Sequence, residues 1–486
     1  MKVMILNPPY GEDFCRSARW AAKSRGRVQR HPDWLLTAAA VLEKARHAVE
    51  FIDGAALNLS RDEIQARIAK FGPGLFVCHT STPSIYSDLS YARLAKEISG
   101  SKTVLVGPHA SVLAGETFDA AGGCVDYIAR GEYDLTLRDI ADGKAPAGIE
   151  GLSFMEGGEL VNNPDRPPLD VNELPFPAWR QIKPEWYRDA GKRFPFLTLL
   201  SGRGCFGRCT FCRDVPVMYG RGLRLRSPAA VADEIEYDYK LFPQLKEIMF
   251  ETDTFTASPD HVRGVCGEML RRNLKITWSC NVRVDMDQEL LPLMKRAGCR
   301  MLMVGFEFGS QGSLDAVKKG ITLEQSRRFA GKARSLGFTL HGCFMIGAPD
   351  ETRESARETI EFAKSLPLDT AQFSGVCVYP GTEMYEWSKK NGYLVPKGWE
   401  EWVDGDNEQV TLLNYPQLSK GEMDALIDTG LREFYLRPGQ VLKMAFRIGS
   451  FDDIVRKFYG LKSLLGYAFG TKKAVRKSIQ PEQRIK

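Results

Sequence analysis

Two separate series of short apolar runs, each alternating with helix-patterned stretches, limit this chain to parallel strands covered on both faces. The first series places strands at 3–7, 49–53, 75–79, 103–106 and 125–129, with helical patterns at 35–45, 60–70, 87–98 and 113–120. Five such units predict a doubly wound α/β domain over residues 1–145. Ligands of such sheets sit over the carboxyl ends of the strands. Those ends read Asn7-Pro8-Pro9, His79-Thr80-Ser81-Thr82-Pro83, Gly107-Pro108-His109 and Arg130-Gly131-Glu132. Residues 146–190 break the pattern with a Gly157-Gly158 hairpin signal and a proline-rich acidic linker. The second series, at 196–200, 247–250, 276–280, 301–305, 339–346 and 370–378, predicts a partial or closed six-unit barrel over 191–385. Residues 386–486 read as a helical C-terminal region, with helices at 420–435, 441–448 and 451–465.

A length of 486 residues with 43% hydrophobic and 26% charged residues is ordinary globular usage and excludes fibrous and disordered classes. Apolar runs such as 35–42 are too short to cross a bilayer, and residues 1–6 are strand-like rather than a leader. The expected location is the cytoplasm. The eleven cysteines then read as buried hydrophobes, metal ligands or catalytic groups, not disulfides. The net charge of +5 is uneven: the last fifty residues hold twelve Lys and Arg against three acids, leaving the rest four charges negative. That distribution excludes nucleic acid as the expected partner. Aromatic and aliphatic residues interleave with the basic tail, which suits peripheral contact with an anionic cytoplasmic membrane face; an ordinary helical cap with a lysine-rich end reads as well.

Immediately after the first strand of the second series comes Gly202-Arg203-Gly204-Cys205-Phe206-Gly207-Arg208-Cys209-Thr210-Phe211-Cys212. Three cysteines in eight residues can bind three irons of a [4Fe–4S] cubane and leave the fourth open. Zinc wants four ligands, and no nearby Cys or His supplies the fourth; Cys266 and His261 lie about fifty residues on in a helical stretch.

The Cys205-x3-Cys209-x2-Cys212 spacing, with aromatic Phe211 before the third cysteine, resembles the radical S-adenosylmethionine (SAM) superfamily signature. The resemblance implies a (β/α)6 partial barrel, metal ligation by Cys205, Cys209 and Cys212, and SAM cleavage to a 5′-deoxyadenosyl radical. Asn7-Pro8-Pro9 and Gly107-Pro108-His109 resemble the cobalamin-binding subgroup, which implies a Rossmann-like N-terminal domain. Asn7, Thr80, Ser81, Gly107, His109, Gly131 and Glu132 are its candidate cobalamin residues. The Asp-x-His-x-x-Gly loop that supplies an axial histidine in many cobalamin proteins is absent. His79-Thr80-Ser81-Thr82-Pro83-Ser84, Arg224-Leu225-Arg226-Ser227-Pro228, Asp253-Thr254-Phe255-Thr256, Thr277-Trp278-Ser279-Cys280-Asn281 and Glu433-Phe434-Tyr435-Leu436-Arg437-Pro438 together resemble the hopanoid-biosynthesis-associated branch. Two stretches depart from relatives: Glu251-Thr252-Asp253-Thr254-Phe255 and Gly347-Ala348-Pro349-Asp350-Glu351-Thr352.

Glu307 and Asp253, at strand ends, read either as acceptors for the SAM ribose or amino group or as turn-capping residues. Arg226 reads as a partner of the SAM carboxylate or as part of a solvated basic loop. Phe211 belongs with them as a cofactor-binding candidate. Cys280, Cys343 and Cys377 read as core thiols or as radical-quenching or proton-donating thiols, and His341 as a core histidine or one facing the barrel mouth. The expected enzyme modifies an unactivated carbon of a hopanoid or related isoprenoid lipid, by radical rearrangement, ring formation or C-methylation. A flavodoxin or ferredoxin is its expected reductant. The competing readings are a tetrapyrrole or natural-product cyclase or methyltransferase, and an iron–sulfur carrier or sensor.

Overall fold

The computed structural model describes residues 1–17, 20–24 and 26–446. The expected helix at 451–465 and most of the basic tail lie outside the described residues. After β1 (Lys2–Asn7) come a short hairpin of β2 (Phe14–Cys15) and β3 (Ala22–Lys23), then β4 (Ala48–Asp53), β5 (Leu75–His79), β6 (Lys102–Val106) and β7 (Tyr127–Ala129). The parallel order is β4-β1-β5-β6-β7. Its central strands are continuous apolar runs because both faces are covered: Val3 and Ile5 enter one core, Met4 and Leu6 the other. The hairpin of β8 (Leu152–Glu156) and β9 (Glu159–Asn162) extends this sheet antiparallel to β7. Gly157 and Gly158 both take positive φ at its turn, as a two-residue hairpin loop requires.

The second series follows as β10 (Phe196–Leu199), a two-stranded ladder of β11 (Gly202–Arg203) with β12 (Arg224–Leu225), β13 (Glu247–Phe250), β14 (Trp278–Val282), β15 (Cys299–Glu307), β16 (Thr339–Ile346) and β17 (Thr370–Gly375). Six parallel strands in the order β10-β13-β14-β15-β16-β17 form an open barrel, since β10 and β17 do not pair. The third barrel strand starts two residues later than its apolar run: Ile276 and Thr277 stay in the loop, and the buried Trp278 indole is fixed by donating to Ala297 O at 2.7 Å. Alternation sorts the side chains. On β16, Leu340, Phe344 and Ile346 are buried while Thr339, His341, Cys343 and Met345 keep partial exposure to the interior.

One continuous core joins the Val3/Ile5 face of the first sheet to the barrel. Polar contacts lock the same junction. Arg203 donates to Asp134 at 2.8 Å with its guanidinium 4.0 Å over the Trp34 ring, and Arg224 donates to Glu132 at 2.7 Å. Arg30 reaches into the barrel to Asp189 and Glu251. Helix Lys420–Tyr435 closes against β17, where the Tyr435 hydroxyl accepts from Ala371 N and donates to Ala371 O.

Candidate active site

The inward faces of the barrel strands, from their amino to their carboxyl ends, and the loop after β11 surround a cavity of about 1420 Å³. Cys205, Cys209 and Cys212 line it, all half-buried and outside any disulfide. The loop is tied to the barrel because Thr210 N donates to Val317 O and Met384 N to Thr210 O, each at 3.0 Å. Its tightest point is Gly207. A Cβ there would stand 3.3 Å from Cys205 Sγ, 3.5 Å from Arg283 Nη1 and 3.9 Å from Cys209 Sγ, so a larger residue would take the space between the two thiols. Three cysteine thiols lining one such hollow fit the open-site cubane.

Phe211, Asp253 and Glu307 line the same cavity. Glu307 ends β15 at φ 64°, at a register shift against β16. A non-glycine residue in this region is strained, and such strain concentrates at functional positions. The distortion turns its carboxylate toward Lys319 Nζ at 2.7 Å. Burial alone would lower the Lys319 ammonium; Glu307 and Cys209 hold it above its ordinary range. Gly305 leaves the room for this pair, since a Cβ there would lie 3.0 Å from Lys319 Nζ. Asp253 accepts from the Tyr219 hydroxyl, whose pKa is driven up by burial and then by Asp253, so the phenol stays a donor.

Arg226 is placed elsewhere. It pairs with Glu234, donates to Leu200 O at 3.1 Å and does not line the cavity, so its expected pairing with a cofactor carboxylate meets an arginine already taken. His341 faces the cavity with Nδ1 2.8 Å from Thr370 Oγ1; burial lowers its pKa to about 4, leaving a neutral imidazole. Cys343 and Cys377 also line the cavity, while Cys280 is core. Arg283 and Lys319 are among the charged lining residues that sequence reasoning missed.

The candidate cobalamin residues form a different picture. Asn7, Thr80, Ser81, His109 and Glu132 are buried, and none of the seven lines the large cavity. The Arg16 guanidinium fills the strand ends, held by Asp88 at 2.7 Å, by Ser84 at 2.8 Å and by Pro8 O. Asn7 donates to Asp53 at 2.8 Å, Thr80 to Val106 O at 2.9 Å, and Glu132 is taken by Arg224. Gly107 backs onto His79, Gly131 onto Met218 O, and the Trp399 indole packs edge-on to His109 at 5.1 Å. In this conformation the Arg16 and Trp399 side chains stand at these strand ends.

Residues 199–363 match the radical SAM superfamily, and residues 25–141 match the B12 binding domain. The chain is 30% identical over 456 residues to an uncharacterized methyltransferase of Pyrococcus horikoshii, covering 92% of this chain and 95% of the relative. It is 25% identical over 516 residues to the anaerobic magnesium-protoporphyrin IX monomethyl ester cyclase of Rubrivivax gelatinosus, covering 100% and 89%. A radical SAM methyltransferase of Kitasatospora setae, solved with cobalamin and a [4Fe–4S] cluster, superposes with a TM-score of 0.69 at 17% identity, covering 95% of this chain and 99% of that one.

Proposed function

This chain belongs to the radical SAM superfamily, in the group with a B12-binding domain ahead of the barrel, and we propose that it modifies an unactivated carbon of a hopanoid or related isoprenoid lipid. The change is a radical rearrangement, a ring formation or a C-methylation. The observation that carries the radical chemistry is the meeting of Cys205, Cys209 and Cys212 at one rim of the large cavity. The cofactor set of the group is a [4Fe–4S] cluster, SAM and cobalamin; together the cluster and SAM supply a 5′-deoxyadenosyl radical able to take hydrogen from a carbon with no acidic proton.

The chain's own residues bind, orient and shield. Cys205, Cys209 and Cys212 hold the cluster. Phe211 offers its ring, and Glu307 and Asp253 offer carboxylate oxygens for the ribose and amino groups of SAM. Glu307 comes ready-oriented because Lys319 fixes it. The barrel walls shield the radical from bulk water. Cobalamin would sit over the strand ends of the first sheet, near the Arg16 and Trp399 side chains. It binds without a histidine ligand from the protein, a reading supported by the missing Asp-x-His-x-x-Gly loop.

The lipid reading rests on the joint order of the five short motifs and on the basic tail. The similarity to a magnesium-protoporphyrin cyclase supports a second reading, a cyclase or methyltransferase acting on a tetrapyrrole or another natural product. A low-potential donor such as flavodoxin or ferredoxin supplies the electron. Anaerobic reconstitution, followed by iron, cobalamin and 5′-deoxyadenosine assays on one sample, tests the class. About four irons with 5′-deoxyadenosine formation is the expected result, and a cluster that never cleaves SAM would reduce the protein to a carrier or sensor. Turnover of a hopanoid but not of a tetrapyrrole would separate the two substrate readings.

A further inference from the structure

We propose that Arg283 sets the reduction potential of the cluster, presenting its Nη1 N–H to the sulfurs on the Cys205–Cys209 side. The inference rests on the reading above that these cysteines hold a [4Fe–4S] centre. Arg283 follows β14 and enters the cavity wall from seventy residues beyond the cysteine loop. The rest of its guanidinium is spoken for: Nε donates to Asp285 at 3.0 Å, and Nη2 donates to Asp285 at 2.8 Å and to Lys319 O at 2.9 Å. The Phe206 ring lies 5.4 Å from its centre. These anchors leave Nη1, which among the described residues donates to no protein atom, beside the point where Cys205 Sγ and Cys209 Sγ converge around Gly207.

Reduction of the cluster adds one electron, taken from an external one-electron donor, to a centre already made negative by its thiolates. A fixed cation and an N–H donor at the sulfurs favour the reduced form and raise the potential; cluster potentials answer to net charge and hydrogen bonds to sulfur. Asp285 offsets part of this field but not all of it, because its carboxylate pairs with Nε and Nη2, on the side of the fork away from Nη1. Lys319 is the weaker candidate, since its ammonium is bound directly to Glu307. An arginine suits the task because its planar fork can be pinned by two anchors and still present a third donor.

The test is an anaerobic redox titration of the reconstituted full-length protein without SAM, followed by the EPR signal of the reduced cluster, with iron content measured on each sample. Arg283→Gln should shift the midpoint to more negative potential, and Arg283→Lys should fall between it and the wild type. Asp285→Asn, which removes the countercharge and leaves the guanidinium, should shift the midpoint the opposite way. Opposite signs distinguish an electrostatic role from loosened packing, which would move both variants alike. Arg283→Gln with full iron and an unchanged midpoint would overturn the proposal, as would a loss of SAM affinity with the SAM-free potential unmoved. If Arg283→Gln fails to hold a cluster, Asp285→Asn decides: an unchanged midpoint there overturns it. A wild type that assembles no cluster overturns the reading above and this inference together; a wild type that cleaves SAM but passes no shift to these variants overturns this inference alone.

Discussion

At the scale of residues, the chemistry readable in the sequence is the chemistry carried by neighbours in the chain. Cys205, Cys209 and Cys212 share one loop, and replacing all three with Ala should abolish both the cluster absorption and 5′-deoxyadenosine formation; about four irons retained would place the cluster elsewhere. Glu307 was visible as an acid ending a strand, but its strained φ and its Lys319 partner were not. If Glu307 accepts from SAM, Glu307→Gln removes a charge-assisted hydrogen bond worth about 1.5–3 kcal/mol. SAM affinity should therefore fall by roughly 10- to 100-fold, read by equilibrium binding to the reconstituted protein, while iron content stays whole. An unchanged affinity would leave the carboxylate a strand-end brace. Arg283 and Lys319 escaped notice because folding, not spacing, brings them to a loop seventy and more residues away. Arg226 misled for a related reason: Glu234, two turns into the helix Pro228–Leu241, takes its guanidinium.

Elements were more legible than their irregular connections. Nearly every barrel strand began within two residues of its apolar run, since period and composition mark a strand covered on both faces. The segments that close the N-terminal strand ends, around Arg16 and Trp399, carry no period and gave no signal. They carry a prediction instead. Trp399 packs on His109 and its indole donates to Glu116, so Trp399→Ala should loosen the cover and let the protein take up more cobalamin at a given concentration, read from the spectrum of bound cofactor. Equal uptake would mean that the cover is not the barrier. Nitrogen hyperfine coupling from a protein imidazole to Co(II) would sink the histidine-free reading. A second prediction concerns the junction of helix Asp33–Lys44 with β10, where Asp33 accepts from Thr198 Oγ1. Burial raises the Asp33 carboxyl from 3.8 to about 8, so between those values the folded state binds a proton that the unfolded chain does not. Stability should therefore fall by up to about 1.4 kcal/mol per pH unit across that window and level off above it. Asp33→Asn should flatten the slope in denaturant titrations from pH 5 to 8; the same slope in the variant would assign it to other groups.

The whole molecule divides its charge, with a surplus of nine positive charges in the last fifty residues against four negative in the remainder. Among the described residues no helix is long and apolar enough to cross a membrane. Each Lys or Arg near an anionic leaflet contributes about 1 kcal/mol before screening, so a few of the twelve facing lipid suffice for reversible association. Interleaved aromatics such as Phe451, Phe458 and Tyr459 would add apolar burial in the interface. The tail begins where the fold places it to use: Arg437 and Lys443 donate to Lys364 O and Leu368 O just ahead of β17, and Lys443 also lines the large cavity. The full-length protein should sediment with anionic liposomes at low salt and be released at high salt, because surface attraction is screened within a Debye length. A version truncated after Leu436 that sediments equally would show that the tail is not the anchor, and would remove the support that the tail gives to a lipid substrate over a tetrapyrrole.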